Sequence, residues 1–217
     1  MTDWATISSL ATAGGTLVLA VATFASVRSS NRSARISEQA LLAGLKPVLV
    51  PSRLQDPPIK ISWGDDHWTR VEGGRAGVEL EGDVIYLSTA LRNAGAGMAV
   101  LQGWLPWPER VLENHEHPPL DDFRRQNRDL YVPPDDVGFW QGAFRDVNDP
   151  MYPQMRDAVT RRQGIMVDLL YSDHFGGQRT ISRFSFVPGG SDGGTWLCIV
   201  ARHWNIDLPD PRGGDGR

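Results

Sequence analysis

The sequence predicts a mainly β protein, a sandwich or a barrel, preceded by one long N-terminal transmembrane helix and containing one short additional helix. Residues 4–27 carry no charge, which predicts the transmembrane helix. From Lys46 onward, short runs rich in Val, Ile, Trp and Tyr are separated by Gly, Pro, Asp and Asn, as in all-β domains. A single later segment repeats apolar residues at helical spacing, which predicts the additional helix.

The first element is the predicted transmembrane helix, Trp4–Val27. At about 1.5 Å per residue it covers the roughly 30 Å of hydrocarbon in a bilayer, and a helix satisfies its own main-chain polar groups there. Asp3 precedes the run and Arg28, Arg32 and Arg35 follow it, whereas a cleaved signal peptide carries its positive charge first. The positive-inside rule then places the N-terminus outside and the remainder of the chain in the cytoplasm.

Side chains in and beside this helix indicate its contacts. Trp4 lies where an interfacial aromatic anchor belongs, and the three following arginines are placed to contact lipid headgroups. Small residues spaced by four, such as Ala11 and Gly15, either permit close packing on another helix or are merely tolerated in a weakly apolar span. The predicted partners are therefore the lipid bilayer and, through the span, a second copy or another membrane protein.

Four regions follow from the composition of the chain. Residues 1–27 form the anchor, and residues 28–46 form a polar helical stalk that Gly44 and Pro47 end. Residues 47–204 form the β-sandwich domain. Residues 205–217 are dense in Pro, Gly and Asp and are predicted to form a disordered tail.

Nine strands and one helix are predicted in the β-sandwich domain. The clearest feature is a hairpin whose two apolar runs flank a turn at residues 173–177. The helix, Met151–Gln163, repeats apolar residues at every fourth position and stops at Gly164. The predicted strands are Pro47–Leu54, Pro58–Trp63, Ala76–Leu80, Val84–Arg92, Met98–Trp107, Val137–Phe144, Ile165–Ser172, Gln178–Val187 and Thr195–Trp204.

The charge pattern and the single cysteine indicate which partners and which cellular compartment the chain fits. The net charge is −4, and basic residues outside the membrane flank are interspersed with acidic ones, so no stripe suited to nucleic acid is present. The single cysteine, Cys198, lies in an apolar run typical of a buried strand, which favours a core residue over a reactive thiol. An unpaired cysteine also fits a reducing compartment.

Two short motifs accompany the uncharged span and the arginine-bearing stalk. They are the strand start Lys46-Pro47-Val48-Leu49-Val50 and the turn Leu91-Arg-Asn-Ala-Gly-Ala-Gly-Met-Ala99. With them, the first half of the chain resembles uncharacterised single-span bacterial membrane proteins with a cytoplasmic immunoglobulin-like β-sandwich. The resemblance implies an anchor in the bacterial inner (cell) membrane and a turn between two sandwich strands, and it brings no catalytic residues.

Two clusters of polar residues are candidates for a metal site and a nucleophilic site, respectively. Neither pattern is specific enough to assign a catalytic or cofactor-binding residue. His115 and His117 lie among acidic residues and are weak candidates for zinc ligands, although such a loop also fits solvated surface. Ser172, Asp173 and His174 lie near Ser182 but have no nucleophile-elbow context, so turn chemistry explains them better. The glycine pairs also lack the spacing of phosphate-binding loops.

The leading functional hypothesis is a membrane-anchored cytoplasmic β-sandwich that acts as an interaction, accessory or sensory module. Trp68 and Trp107 are candidate interface residues, because tryptophan is enriched at protein interfaces. One alternative is a ligand-binding protein or enzyme with a pocket built from loops around His115, His174 and His203. Another is a subunit of a membrane-bound defence or stress complex, held through the span.

Overall fold

The computed structural model describes residues 4–109, 116–189 and 194–208, in two compact units. The first unit is Met1–Gly44, and the second, Leu45–Arg217, is called the β domain below. Within the second unit almost all regular structure is β, so the prediction of a mainly β fold is confirmed.

The first unit is built from one helix, α1, which runs from Trp4 to Ala43 without interruption. The predicted span and the predicted stalk are therefore parts of a single helix. Its described side chains, from Gly14 onward, include large apolar groups on every side that are exposed, among them Leu17, Val18, Leu19 and Phe24. Across the described residues, no helix combines the length and apolar character that crossing a membrane requires.

The second unit contains eleven described strands and one α-helix of its own, α2, which runs from Tyr152 to Thr160. This helix is shorter than predicted at both ends, and Arg162 just after it has a positive φ of 53°. The strands are β1 Leu49–Pro51, β2 Ile59–Ser62, β3 Trp68–Val71, β4 Arg75–Glu81, β5 Val84–Asn93, β6 Ala99–Trp107, β7 Arg124–Val132, β8 Val137–Phe144, β9 Ile165–Ser172, β10 Thr180–Gly189 and β11 Thr195–Asn205.

Nine of these strands form one antiparallel sheet, in the order β1-β5-β4-β11-β10-β9-β6-β7, with β8 paired to β5. Strands β2 and β3 form a separate hairpin. The sheet curls until its two ends face each other, because Trp140 of β8 lies 5.4 Å from Trp104 of β6, measured between ring centroids. Trp140 also lies 6.4 Å from Phe186 of β10, so strands from distant parts of the sheet share one core.

The middle of the sheet has one weak junction. Strand β4 pairs with β11 only at Trp196 opposite Ala76 and Leu197 opposite Arg75. On one side of this junction lie β1, β4, β5 and β8, and on the other lie β6, β7, β9, β10 and β11. The sheet therefore consists of two well-paired halves with a short connection between them.

The turn between β5 and β6 joins the two halves through one side chain, that of Asn93. This residue is fully buried, and its side-chain amide donates to the carbonyl oxygens of Gly97 (2.6 Å) and Val132 (3.0 Å). Its amide oxygen accepts from the main chain of Val48 and Gly95. A Cβ on Gly95 would lie 2.3 Å from the carbonyl oxygen of Lys46, so glycine is required for this close approach.

The structure also departs from the prediction at the end of the chain. Asn205 was predicted to begin a disordered tail, but it ends β11, opposite Thr180. Two residues later, the carboxylate of Asp207 accepts hydrogen bonds from the guanidinium of Arg179 at 2.7 and 2.9 Å. Residues 209–217 of the predicted tail lie outside the described residues.

Candidate functional site

The main concave site of the β domain lies where β7 and β8 face each other. These strands follow one another along the chain and form the two ends of the curled sheet, but no ladder of main-chain hydrogen bonds joins them in the described residues. Where they meet, a cleft of about 820 Å³ opens, within the usual size range of ligand sites. We call it the arginine cleft. It is lined by Trp63, Gly64, Asp65, Trp104, Arg124, Arg125, Gln126, Asn127, Arg128, Gln141, Gly142, Ala143 and Arg145.

An irregularity in β7 supplies much of this lining. Leu101 of β6 lies opposite Leu130 and Gly103 lies opposite Arg125, so four residues of β7, 126–129, face only Gln102. A bulge of this kind bends a strand and redirects its side chains. It lets the polar sequence of β7 line the cleft without entering the core.

Two of the four arginines of the cleft are held by carboxylates. Arg124 donates to both oxygens of Asp149, at 2.6 and 2.9 Å, and these hydrogen bonds hold the pKa of Asp149 below its ordinary value. Arg145 donates to Asp65 at 2.8 and 3.1 Å. Burial alone would raise the pKa of Asp65, but its hydrogen bonds from Tyr86 and Arg145 outweigh burial and lower it.

The other two arginines have no carboxylate partner among the described residues. Arg128 donates to the amide oxygen of Gln141 at 3.3 Å and lies 5.3 Å from the ring centre of Phe139. Arg125 is exposed and forms no ion pair in the part of the chain that the structure describes. The cleft therefore keeps two uncompensated positive charges, although the whole chain carries a net charge of −4.

Tryptophans form the apolar part of the cleft. Trp104 is almost fully buried, and the guanidinium of Arg124 lies 5.3 Å from the centre of its ring. Trp63 is 7% exposed, and its ring lies 5.1 Å from that of Tyr86. The cleft therefore combines a mostly buried aromatic wall with guanidinium groups, which bind anions.

A series of contacts outside the cleft holds Asp65, which lines it. The hydroxyl of Tyr86 donates to Asp65 at 2.8 Å, and burial together with this hydrogen bond raises the pKa of Tyr86 to about 12. The ring of His67 stacks on Tyr86 with centroids 3.8 Å apart. Its two ring nitrogens lie 3.0 Å from an oxygen of Glu79 and 2.7 Å from an oxygen of Glu81, so the imidazole is clamped on both sides.

The chemistry of this lining is that of binding. Guanidinium groups bind carboxylates and phosphates through paired N–H donors. The lining residues include no Ser, Cys, His or Lys, and the one carboxylate among them, Asp65, is held by Tyr86 and Arg145. The described lining thus presents guanidinium donors of the kind that can bind carboxylates and phosphates.

The predicted zinc ligands are only partly covered by the structure. His115 lies outside the described residues. The ring of His117 lies 2.9 Å from the carbonyl oxygen of Pro118 through Nδ1. In the described ranges, no group of three or more His, Cys, Asp or Glu side chains could hold a metal ion.

The two predicted interface tryptophans have different surroundings. Trp68 is 57% exposed on β3 and stacks under the ammonium of Lys60, which lies 4.3 Å from its ring centre. Trp107 is half-buried, and its indole N–H donates to Asp168 at 2.8 Å. Trp68 is thus available to a partner, whereas the polar edge of Trp107 is occupied within the domain.

The serine and histidine residues weighed as a nucleophilic site are separated by the fold into two groups. Asp173 accepts hydrogen bonds from the main-chain N–H groups of Phe175 and Gly177, both at 2.9 Å, and so stabilises the turn. Ser182 is fully buried, 2.8 Å from the hydroxyl of Tyr171 and 2.6 Å from Nδ1 of His203. A buried hydroxyl is not open to attack a substrate.

The predicted membrane anchors lie on α1. The side chain of Trp4 is outside the described part of the helix, while Arg28, Arg32 and Arg35 are exposed. The arginines of the cleft, in contrast, were not predicted from the sequence as a site. Three of them fall within the five residues 124–128, and this local density is the sequence signal that could have identified them.

No protein-family model matches this chain, and no curated protein sequence matches it either.

Proposed function

We propose that this protein is a membrane-anchored binding module that recognises an anionic ligand through the arginine cleft. The observation that carries the proposal is the convergence of four arginines on one cleft in a chain of net negative charge. Two of these arginines have no carboxylate partner in the part of the chain that the structure describes. Such a cleft concentrates positive potential and attracts anions from solution.

In this proposal α1 is the anchor, with the N-terminus outside and the β domain in the cytoplasm of a bacterium, at its inner membrane. The support is the uncharged stretch 4–27, followed by Arg28, Arg32 and Arg35. Leu17, Leu19 and Phe24 are each more than 60% exposed on α1, and exposed large apolar side chains in one segment favour a lipid or protein environment.

The arrangement of the curled sheet into layers belongs to the same proposal. We propose that the two halves of the curled sheet correspond to the two layers of an immunoglobulin-like β-sandwich. The short pairing of Ala76 with Trp196 supports this interpretation, because it leaves only a two-residue ladder between the halves while their side chains share one core. We also propose kinship with single-span bacterial membrane proteins on the basis of the sequence motif at residues 91–99, whose Asn93 holds the turn between β5 and β6 in this chain.

The ligand proposal is tested with the full chain in neutral lipid nanodiscs. The probes are a labelled hepta-glutamate peptide, a hepta-lysine peptide and pyrophosphate, and binding is followed by fluorescence anisotropy or calorimetry. The double variant Arg125→Ala/Arg128→Ala should lose about tenfold or more in affinity for the anionic probes. The matched control is Arg53→Ala/Arg70→Ala, which removes two exposed arginines outside the cleft.

Two results would overturn the ligand proposal. The first result is that the hepta-glutamate peptide and pyrophosphate bind no more tightly than the hepta-lysine peptide. The other is an equal loss of affinity in the two double variants, which would mean that net charge alone attracts the probes. A loss confined to the cleft variant supports the proposal.

The anchor is tested separately by alkaline extraction of bacterial membranes. The full chain should stay in the membrane fraction, and Leu19→Arg/Val21→Arg should release it, because each arginine costs about 2.5–3.5 kcal/mol at the centre of a spanning helix. Leu19→Ala/Val21→Ala is the control that keeps the helix uncharged. Release of the unaltered chain by alkali would contradict the anchor.

A further inference from the structure

The two strands that border the arginine cleft have open edges. Strand β7 pairs only with β6, and β8 pairs only with β5, among the described residues. Their other edges face each other across the cleft. An edge of this kind presents unpaired main-chain N–H and C=O groups, which can pair with an added strand.

One hydrogen bond shows which groups of β8 point into the cleft. The side-chain amide of Gln126 in β7 donates to the main-chain carbonyl oxygen of Gln141 in β8 at 3.0 Å. Within a strand, the N–H and C=O of one residue point to the same edge, and alternate residues share an edge. Phe139, Gln141 and Ala143 therefore direct their main-chain polar groups towards β7.

The bulge at residues 126–129 keeps β7 from closing on β8. A side chain, that of Gln126, spans the space where a main-chain ladder would otherwise form. The hydrogen bond from the Gln126 side chain to the Gln141 carbonyl oxygen occupies the place of a main-chain bond. The main-chain N–H of an added strand can replace it at this oxygen.

Two buried polar atoms of residues that line the cleft have no hydrogen-bond partner within the described ranges. They are the amide oxygen of Gln126, which is an acceptor, and the indole N–H of Trp63, which is a donor. Trp63 is 7% exposed, so this donor is also removed from solvent. Buried groups of this kind are rare and carry a cost until they are paired. One acceptor and one donor are the complement of the N–H and C=O that every peptide unit carries.

We infer that the ligand of the arginine cleft is an acidic segment of a partner protein, bound in extended form as an added strand along the free edge of β8. This inference rests on the proposed function and deepens it by naming the ligand class. The main chain of the segment pairs with Phe139, Gln141 and Ala143. Its carboxylates meet Arg125 and Arg128, the two guanidinium groups that have no acidic partner among the described residues. Strand addition is an established mode of peptide recognition, with affinity from the main chain and specificity from side chains.

The test compares two peptides of equal charge on the full chain in nanodiscs. One is hepta-glutamate, and the other is hepta-glutamate with every central amide N-methylated, which keeps the carboxylates and removes the main-chain donors. Strand addition predicts that N-methylation lowers affinity about tenfold or more. Pyrophosphate, which has no main chain, should bind more weakly than the unmethylated peptide.

A protein variant provides the complementary measurement. Gln141→Pro removes the one N–H of that residue, which points into the cleft and not towards β5, whereas Gln141→Ala keeps it. Both variants remove the side-chain oxygen that accepts from Arg128, so they are compared with each other. The proline variant should bind hepta-glutamate about tenfold more weakly than the alanine variant, whereas the two variants should bind pyrophosphate alike. Near-ultraviolet circular dichroism checks that both variants keep their aromatic core.

The outcomes separate the two proposals. Equal affinities of the methylated and unmethylated peptides would overturn strand addition and leave the cleft as a general anion site. Failure of every anionic probe to bind in a manner that depends on Arg125 and Arg128 would overturn the proposed function itself. A tenfold loss on methylation with unchanged pyrophosphate binding supports the added strand.

Discussion

The guanidinium of Arg183 and the carboxylate of Asp168 form a two-pronged ion pair inside the β domain, with both hydrogen bonds at 2.7 Å. Asp168 is fully buried and Arg183 is 2% exposed. The guanidinium lies 5.1 Å from the ring centre of Trp107 and 5.0 Å from that of Trp204. The pair is thus enclosed by aromatic rings and joins β9 to β10.

Replacing Arg183 by Met should destabilise the full chain by about 3–5 kcal/mol, because it leaves the carboxylate of Asp168 buried without its partner. The free energy of unfolding is measured by urea titration in mild detergent, followed by tryptophan fluorescence. The control is Arg179→Met, which breaks the more exposed pair with Asp207 and should cost at most about 1 kcal/mol. Equal costs for the two variants would contradict the role of the buried pair.

The ion pair between Arg124 and Asp149 predicts a dependence of stability on pH. The pKa of Asp149 is lowered in the folded chain from an ordinary value of 3.8, so its contribution is present above that pH and is lost as pH falls through the folded pKa. The urea midpoint of Asp149→Asn should therefore lie below that of the unaltered chain at pH 6, and the difference should shrink at acid pH below about 3.8. A difference that stays constant with pH would exclude this linkage.

Gly142 lies in the cleft lining, close to two tryptophans. A Cβ on this residue would lie 2.7 Å from Trp140 and 3.1 Å from Trp104, so both rings must shift. Gly142→Ala should destabilise the chain by about 1–3 kcal/mol and weaken anion binding, because Trp104 also lines the cleft. Gly194, which is not among the cleft-lining residues, provides the control, since a Cβ there meets nothing within 4 Å. Unfolding and binding curves that are unchanged in Gly142→Ala would show that the rings adapt freely.

Cys198 should resist alkylation while the chain is folded. Burial raises the pKa of its thiol to about 12, and the hydrogen bond to Thr89 opposes this rise only in part. Compared with an ordinary value of 9.0, the thiolate fraction at pH 8 falls on the order of a thousandfold. Mass spectrometry after iodoacetamide treatment should find the label only in urea-unfolded protein. Rapid labelling of the folded chain would show that β11 opens readily.

Much of the β domain could be predicted because its central strands obey simple patterns. The observed bounds of β8, Val137–Phe144, and of β9, Ile165–Ser172, are those predicted, since both are apolar runs with turn residues on either side. The hairpin of β9 and β10 is confirmed by the pairing of Leu169 with Ser182. Local propensity and burial agree in these segments.

The strand that lines the site was missed for a physical reason. In β7, Arg124–Val132, the residues before Leu130 are all charged or amide-bearing, so neither alternation nor β-branched residues mark it as a strand. It is held by β6 on one edge and exposes its side chains at the bulge. The short strand β3, Trp68–Val71, was missed as well.

The arginine cleft could not be read from composition because it depends on sheet topology. Arg145 comes after β8, while Arg124, Arg125 and Arg128 belong to β7, and only the curling of the sheet brings the ends together. The carboxylates that neutralise two of these arginines, Asp65 and Asp149, are also distant in sequence. Basic and acidic residues are therefore interspersed along the sequence, whereas the fold gathers four arginines into one positively charged cleft.

The short pairing between β4 and β11 also determines when the fold can be completed during synthesis. Ala76 of β4 pairs with Trp196 of β11, Thr195–Asn205, which is the last strand that the structure describes. This pairing can form only after β11 has been synthesised. Until those residues leave the ribosome, one half of the sheet ends in the unpaired edge of β4. Contacts of such long sequence separation form slowly, and an open edge can pair with a neighbouring chain. Until β11 is made, the edge of β4 that later pairs with Trp196 and Leu197 is therefore open to other chains.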